Sequence, residues 1–230
     1  MVRRSLVVLV ALISLFLGCK NNATKQNPGD SWKEVYKNAF TNHDYVTAVV
    51  ALNHLIIKDS VDRPKYYDSL CLYYIKKLHN YDAGKKIIDK GLAINPNNYQ
   101  LLEYRSIFLS AEGKYDEART AIMKAYELSK LNKHLYMYAT TYASEQNFGE
   151  FNKIANSILY NPAAKPEMVE VTVDENVSQM IYLKALCYLD KAKIAPNSAL
   201  VMRYIDSALM IEPNYQEALY YKQKLKNGGQ

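Results

Sequence analysis

The stretch Gly-Lys-Tyr-Asp-Glu-Ala, residues 113–118, occurs in related form at two earlier places in the chain. Residues 43–48 read HDYVTA and residues 80–84 read NYDAG, so each copy combines a tyrosine with an aspartate and an alanine. The tyrosines lie 36 and 34 residues apart: Tyr45, Tyr81 and Tyr115. A nearly constant period of this length predicts an array of small units, each stacked on its neighbours.

A second landmark is an apolar, helix-like segment that ends in proline. Residues 91–96 read GLAINP and residues 208–213 read ALMIEP. Since proline cannot continue a helix, each segment is expected to end there. Together with the period, these landmarks make the chain resemble the tetratricopeptide repeat family, in which each unit consists of two antiparallel helices, A and B.

The resemblance implies an all-α fold for residues 31–230, namely a right-handed superhelical array of about five helical hairpins. A last helix from Glu217 to Lys226 is expected to cap the array, because terminal units need a polar outer face. The fourth unit departs from the pattern, with Phe151 where the family has a small residue. The units are expected to begin near Gly29, Lys65, Tyr99, Asn132 and Met180.

One stretch, residues 161–178, does not fit the repeat. It reads NPAAKPEMVEVTVDENVS, and its prolines break helices. Val169, Val171 and Val173 alternate with polar residues, which is a strand-like pattern. We interpret the stretch as a loop inserted between the fourth and fifth units. Two roles stay open for it: a solvated connection, or a contact loop, since insertions in repeat arrays often lie on a binding face.

The composition is that of one folded domain or one array of small units. Hydrophobic residues make up 49% of the 230 residues and charged residues 23%, which excludes a disordered chain. With 8 Gly and 7 Pro, a loop-rich β sandwich is disfavoured. Three cysteines cannot form the disulfide framework on which small secreted domains depend.

The N-terminal residues 1–18 indicate an export signal. Two arginines precede the apolar run Leu6–Leu17, which is shorter than the roughly 20 residues that span a bilayer. Residues 15–19 read LFLGC and resemble the lipobox of bacterial lipoproteins, although Phe16 and Leu17 depart from the usual residues. The resemblance implies cleavage before Cys19 and acylation of that residue, with palmitate among the chains. The alternative is an ordinary signal peptide followed by a chance cysteine.

Residues 19–30 are interpreted as a flexible tether, because they are polar and include Pro28-Gly29. No acidic residue follows Cys19 before Asp30, and by the resemblance we expect an anchor in the bacterial outer membrane that faces the periplasm. Loss of residues 1–18 lowers the net charge from +6 to +4, because Arg3 and Arg4 are removed. Such a mild charge does not indicate nucleic acid as a partner.

The sequence carries no motif for catalysis, a metal or a cofactor. It contains no glycine-rich phosphate loop, no Gly-x-Ser-x-Gly elbow and no cysteine pair with zinc-ligand spacing. His43 and His79 fall at equivalent turn positions, whereas His54 and His134 have no partner in helical register. We therefore predict that the protein is not an enzyme. Two cysteines at apolar helix positions are expected to be buried and reduced: Cys71 and Cys187.

The resemblance also implies a binding groove, lined by A helices on the concave side of the array. The residues carried over to it are lysines and aromatics, which suit a partner segment that bears carboxylates. They are Lys33, Lys37, Phe40, Tyr66, Tyr73, Lys76, Lys77, Tyr136, Lys184, Tyr188 and Lys191, with Ile107, Thr140 and the acidic Glu103 as exceptions. The alternative is that lysine and tyrosine are simply common here and lie on solvated helix faces.

These observations favour a membrane-anchored interaction scaffold or adaptor in a bacterial envelope complex, with a protein as its partner. The alternative is a lipoprotein that binds a small glycan or peptide ligand for uptake, since the 21 tyrosines could stack on sugars. Insertions that carry ligand sites in such proteins are usually larger than residues 161–178.

Overall fold

The computed structural model describes residues 28–163, 165–174 and 177–227 of the chain. Eleven α-helices and one two-stranded sheet lie in these residues, and the predicted all-α repeat fold is confirmed. The residues divide into two compact units, with the boundary between Tyr66 and Tyr67. Each unit is described separately.

The first unit contains α1 (Pro28–Thr41), α2 (Tyr45–Lys58) and the start of α3 (Arg63–Leu72). Helices α1 and α2 pack against each other as one hairpin. Its core includes fully buried Ala48, Leu52 and Leu55 from α2. Helix α1 begins at Pro28, three residues before the predicted start of the repeat domain. Residues 1–27, including Cys19, lie outside the described residues.

In the second unit, α3 runs directly into a π-helical turn, Tyr73–Lys77, before a series of helices that pack on their neighbours in the chain. The remaining elements are α4 (Tyr81–Ile94), α5 (Tyr99–Ala111), α6 (Tyr115–Ser129), α7 (Asn132–Ser144), α8 (Phe148–Leu159), β1 (Met168–Asp174), β2 (Val177–Tyr182), α9 (Leu183–Lys193), α10 (Ser198–Ile211) and α11 (Gln216–Lys226). Five helix pairs and a closing helix match the predicted number of repeats.

The motif that revealed the repeat is a turn followed by a helix cap. His43, His79, Gly113 and Gln146 stand at the same place in four hairpins, and all have a positive φ between 50° and 75°. In three hairpins the next residue is Asp or Asn, whose side chain accepts a hydrogen bond from a backbone N–H in the first turn of the following helix. The capping residues are Asp44, Asn80 and Asn147. The prediction that His43 and His79 are turn residues is confirmed.

Residues 161–178 are not a simple loop. Strands β1 and β2 pair antiparallel, with Met168 opposite Tyr182 and Val169 opposite Ile181. The strand-like alternation of the valines therefore extends into Met180 and Ile181, which the sequence analysis placed in the fifth unit. That unit begins at Leu183 instead, because the alternating pattern continues through β2. The hairpin is an ordered addition to the array.

Candidate functional site

The first-unit groove residues fall into an engaged group and an exposed group. Lys33 Nζ lies 2.7 Å from Asp59 Oδ2, and the Tyr66 hydroxyl donates a hydrogen bond to the same oxygen at 2.9 Å. The hydrogen bond from Lys33 is the main reason why the Asp59 pKa is held below its ordinary value. Burial and then the Asp59 hydrogen bond raise the pKa of Tyr66 to about 12. Lys37 and Phe40 remain exposed, the latter at 59%.

The groove residues predicted at the end of α3, in the second unit, also divide into a buried and an exposed group. Tyr73 is buried, at 3% exposure, whereas Lys76 and Lys77 are exposed. All three belong to the π-helical turn at the end of α3. A π-helical turn adds one residue to the local ring of backbone hydrogen bonds and often marks functional positions in helices. Here it ends the helix on two adjacent lysines.

Three further predicted groove residues contribute to packing between helices. The Tyr136 hydroxyl donates to the Asp190 carboxylate, and burial keeps the Tyr136 pKa well above its ordinary value. Lys184 Nζ donates to the backbone oxygen of Leu159 at 3.0 Å. Tyr188 is half-buried, and its ring centroid lies 6.3 Å from that of Tyr204. Any partner contact by these three residues would compete with contacts inside the array.

One polar network was missed by the sequence analysis. Fully buried His134 lies between Ser129, with Oγ 2.7 Å from Nδ1, and Glu103, with Oε2 2.9 Å from Nε2. Lys133 Nζ also contacts Glu103 Oε2, at 2.7 Å. Burial raises the Glu103 pKa, but the hydrogen bonds from His134 and Lys133 outweigh it and hold that pKa below its ordinary value. Glu103, predicted to line the groove, is therefore engaged inside the array.

Serine, histidine and an acid are also the residue types of a hydrolase triad. Ser129 Oγ, however, accepts a hydrogen bond from the Leu131 backbone N–H at 3.2 Å, where it supports the turn between α6 and α7. Ser129 lines neither the cavity beside the inserted β-hairpin nor the open cleft over Arg119. We assign the network to packing between α5, α6 and α7.

A second network that was not predicted surrounds Lys191, which was expected to line the groove but is buried. Lys191 is 4% exposed, and its Nζ donates to Asn152 Oδ1 at 2.8 Å and to Asn156 Oδ1 at 2.9 Å. The same nitrogen lies 5.0 Å from the centroid of the Tyr204 ring. Burial lowers the pKa of Lys191. The two amide oxygens come from α8, so this network joins the fourth and fifth hairpins.

The inserted β-hairpin is held against the array by its inner face and by its ends. Val169 and Val171 pack, with fully buried Ile181, against a core cluster from α9, α10 and α11. Gln179 donates through Nε2 to the backbone oxygen of Asn214 at 2.7 Å and accepts from the Gln216 backbone N–H at 3.3 Å. The interpretation of this segment as a solvated connection was therefore wrong, because its inner face is part of the core.

Glu167, just before β1, joins the hairpin to two helices. Its carboxylate accepts hydrogen bonds from the backbone N–H groups of Asn132 at 2.6 Å and Lys133 at 2.9 Å, in the first turn of α7. Its backbone oxygen accepts from the Leu183 N–H at 2.8 Å, where α9 begins. A carboxylate is favoured at a helix N-terminus by the unpaired N–H groups and by the helix dipole.

A cavity of about 300 Å³ opens beside this junction, and we refer to it as the hairpin cavity. Its lining is largely apolar and comes from α7, α8, α9, α10 and the hairpin. The lining residues are Asn132, Ile158, Lys165, Pro166, Glu167, Tyr182, Leu183, Lys184 and Ile211. A second, more open cleft lies over Arg119, Tyr138 and Tyr142 on α6 and α7. Arg119 there already contacts Asp116 and Glu145.

The remaining potential metal ligands and nucleophiles are histidine, cysteine and acidic side chains. Across residues 28–163, 165–174 and 177–227, no three His, Cys, Asp or Glu side chains form a group that could hold a metal ion. Cys71 and Cys187 are buried and unbridged, as predicted, and burial raises the pKa of each thiol to about 12. Such thiols are poor nucleophiles, since the thiolate is the reactive form.

Repeated helical hairpins that pack on their neighbours in the chain define a helical-repeat protein. No protein-family model matches the sequence, and no curated protein matches it. Solved structures of low sequence identity do match. A tetratricopeptide repeat protein from Parabacteroides merdae is similar with a TM-score of 0.65 and 14% identity, over 87% of this chain and 74% of that one.

Two further structures support the same fold. The C-terminal part of a tetratricopeptide repeat-containing protein from Cytophaga hutchinsonii has a TM-score of 0.56 and 11% identity, over 87% of this chain and 75% of that one. MamA from Desulfovibrio magneticus has a TM-score of 0.60 and 8% identity, over 82% of this chain and 97% of that one. The chain therefore has the tetratricopeptide repeat fold.

Proposed function

We propose that the protein is a non-enzymatic interaction scaffold that binds a segment of a partner protein along its A helices. The observation that carries this proposal is the exposure, in the first unit, of Lys37 and Phe40, one turn apart on α1; in the second unit, Lys76 is exposed on the π-helical turn. A cationic and an apolar side chain side by side suit a segment that combines a carboxylate with an apolar residue. Tetratricopeptide hairpins present such faces in series, since each helix buries only part of its surface.

Changing Lys37 and Lys76 to Glu should abolish capture of the partner from native membranes by chemical crosslinking and mass spectrometry. Each reversal replaces attraction for a carboxylate with repulsion, and both side chains are exposed, so the fold should be kept. The matched control changes Lys86 and Lys90 to Glu, two exposed lysines on α4, the B helix of its hairpin. A partner lost equally in both double variants, or retained in both, would contradict the proposed surface.

We also propose that Cys19 is acylated and anchors the protein in the outer membrane, facing the periplasm, as part of an envelope complex. Support comes from residues 15–19, LFLGC, after a short apolar run. Each buried CH₂ of an acyl chain contributes about 0.8 kcal/mol, so two or three chains hold a protein on a membrane stably. Among the described residues, no helix is long and apolar enough to cross a bilayer.

Cys19→Ala should move the protein from the membrane fraction to the soluble fraction after cell lysis and ultracentrifugation. Cys71→Ala is a control for loss of a different cysteine, because Cys71 is buried in the fold. Retention of the Cys19→Ala variant in membranes, at the level of the native protein, would overturn the lipid anchor. It would leave the proposed binding surface intact, since that surface lies outside the tether.

The alternative function, uptake of a small glycan, has less support from the hairpin cavity. Its volume of about 300 Å³ is at the small end of ligand sites, which run from roughly 300 to 1,000 Å³. A glycan requires many convergent hydrogen-bonding groups, whereas this cavity is walled by Ile158, Pro166, Leu183 and Ile211. The cavity suits an apolar group better than a sugar.

A further inference from the structure

We propose that the hairpin cavity and the outer face of the β-hairpin form a second docking site, for an extended segment of a partner protein. The segment would place a bulky apolar side chain in the cavity and an adjacent carboxylate beside Lys165. This inference rests on the proposed scaffold function and adds to it a surface outside the A-helix groove.

The cavity has the size and lining for one large apolar side chain. Its walls combine Ile158 at the end of α8, Leu183 at the start of α9 and Ile211 at the end of α10. Ile158 and Leu183 are almost fully buried, so they provide a rigid floor. Pro166 and Tyr182 form the hairpin side of the cavity. Burial of an apolar group against such walls is favourable because it removes apolar surface from water.

The charges at the cavity favour an acidic neighbour for that side chain. Glu167 is the acidic lining residue, and both of its carboxylate oxygens already accept backbone hydrogen bonds from the first turn of α7. Lys165 is exposed at the mouth. Lys184 uses one of its three N–H donors on the Leu159 backbone oxygen. Lys165 and Lys184 contribute two ammonium groups against the one carboxylate of Glu167, so the rim carries a net positive charge that complements a carboxylate.

The outer face of the hairpin carries exposed apolar side chains beside the cavity, together with Glu170, whose carboxylate accepts a hydrogen bond from the Ser178 hydroxyl at 2.6 Å. Met168, Met180 and Tyr182 point to this face, and they are 48%, 54% and 37% exposed. Met168 lies directly opposite Tyr182, and Met180 lies one position along the same face, opposite Glu170. Methionine side chains adapt to varied partners because they are unbranched and flexible. Tyr182 belongs both to this face and to the cavity wall.

The shape of this surface selects an extended peptide rather than a compact ligand. Successive outward positions on a strand are about 7 Å apart, so the face and the cavity together span several residues of an extended chain. In the part of the chain that the structure describes, the sheet has only its two strands, so neither strand pairs with a third. Extended peptides commonly dock on such strands, with alternate side chains in pockets.

The test uses the purified full-length protein and a fluorescein-labelled peptide, Ser-Gly-Phe-Asp-Gly-Ser, with binding followed by fluorescence anisotropy. We expect saturable binding with a Kd below about 1 mM. Lys165→Glu should weaken it about fivefold, an effect of the size that an exposed ion pair provides. Tyr182→Ala should weaken it about tenfold, since it removes an aromatic ring that belongs both to the cavity wall and to the outer face. Two altered peptides, with Ala in place of Phe or Lys in place of Asp, should bind the native protein at least as weakly as the unaltered peptide binds these protein variants.

Matched controls separate this site from the proposed groove and from loss of folding. Lys90→Glu and Tyr220→Ala change exposed residues on α4 and α11 and should leave the Kd unchanged. The Lys37→Glu, Lys76→Glu double variant should also leave the Kd of the peptide unchanged. If the peptide does not bind, the proposal for the A-helix surface is therefore unaffected. Circular dichroism and thermal unfolding verify that Lys165→Glu and Tyr182→Ala retain the fold. Absence of binding, or a Kd that does not change with Lys165→Glu, would overturn the peptide site. The site would also be overturned if octanoate, a compact apolar carboxylate, displaced the labelled peptide as well as the unlabelled peptide does.

Discussion

Replacing Phe151 with alanine is expected to lower the free energy of unfolding by about 3–5 kcal/mol, the usual cost of emptying a buried aromatic site. Phe151 is 1% exposed and packs with Ala139 and Ala155, at a position where the repeat pattern has a small residue. The small alanines beside it cannot fill the space that its ring would leave. The predicted loss is therefore as large as for any single truncation in this core.

The measurement is urea denaturation followed by far-ultraviolet circular dichroism, which gives the free energy of unfolding. Phe148→Ala is the matched control: the same chemical change, one turn earlier in α8, at a side chain that is 40% exposed. Its effect should stay below about 1 kcal/mol, since exposed substitutions seldom exceed that range. Equal losses for the two variants would show that Phe151 is not part of the core.

Gly91→Ala should lower the free energy of unfolding by about 2 kcal/mol, within the usual range for overpacking. A Cβ atom at this position would lie 2.3 Å from Leu101 Cδ1 and 3.0 Å from Tyr67 Cβ. Leu101 and Tyr67 are both buried, so relief requires α3, α4 or α5 to shift. The helix propensity of alanine, better than that of glycine by about 1 kcal/mol, offsets only part of this cost.

Gly149→Ala provides the opposite expectation from the same chemical change. The nearest atom to its added Cβ would be Asn147 Oδ1 at 3.7 Å, an ordinary contact. Without a clash, the propensity gain remains, and the variant should be as stable as the native protein or slightly more stable. Thermal unfolding of the two variants side by side should give a lower midpoint for Gly91→Ala and an unchanged or slightly higher midpoint for Gly149→Ala. A stabilised Gly91→Ala variant would mean that α4 does not approach α3 and α5 closely.

The parts of the fold that could be predicted from sequence depend on local chemistry. The turn and cap at His43-Asp44 and at His79-Asn80 involve neighbouring residues, so a short motif is enough to predict both. Because this motif recurs at intervals of about 34 residues, it predicted the helical hairpins and their number. Gly91 belongs to the same local pattern, since the repeat requires a small residue there.

The interactions of the candidate site could not be predicted, because their partners are distant in sequence. Lys33 is neutralised by Asp59, and Tyr136 finds Asp190, which lies 54 residues later. The lysine-rich groove that the resemblance implied therefore did not include the acidic residues that pair with it. A signal was present in neither case, since no spacing rule links one helix of a repeat to the loop or helix that packs on it.

The hairpin was only half visible in the sequence. The alternation of Val169, Val171 and Val173 indicated a strand, but its partner strand, Val177–Tyr182, was divided between the insertion and the next helix. Strand pairing is a non-local property, and the valine pattern alone does not say which segment supplies the second strand. The hairpin cavity is formed by the paired strands together with the ends of four helices, so no local sequence motif predicts it.

The central claim is that a partner protein contacts the exposed A-helix surface at Lys37 and Phe40. Site-specific photocrosslinking tests it most directly, with benzoylphenylalanine incorporated in place of Phe40 in cells and, as a control, in place of Ile94 on α4, which is 46% exposed. We expect one crosslinked protein adduct from position 40, reduced by Lys37→Glu, and none from position 94. The same adducts from both positions, or an adduct at position 40 that is insensitive to Lys37→Glu, would contradict the account.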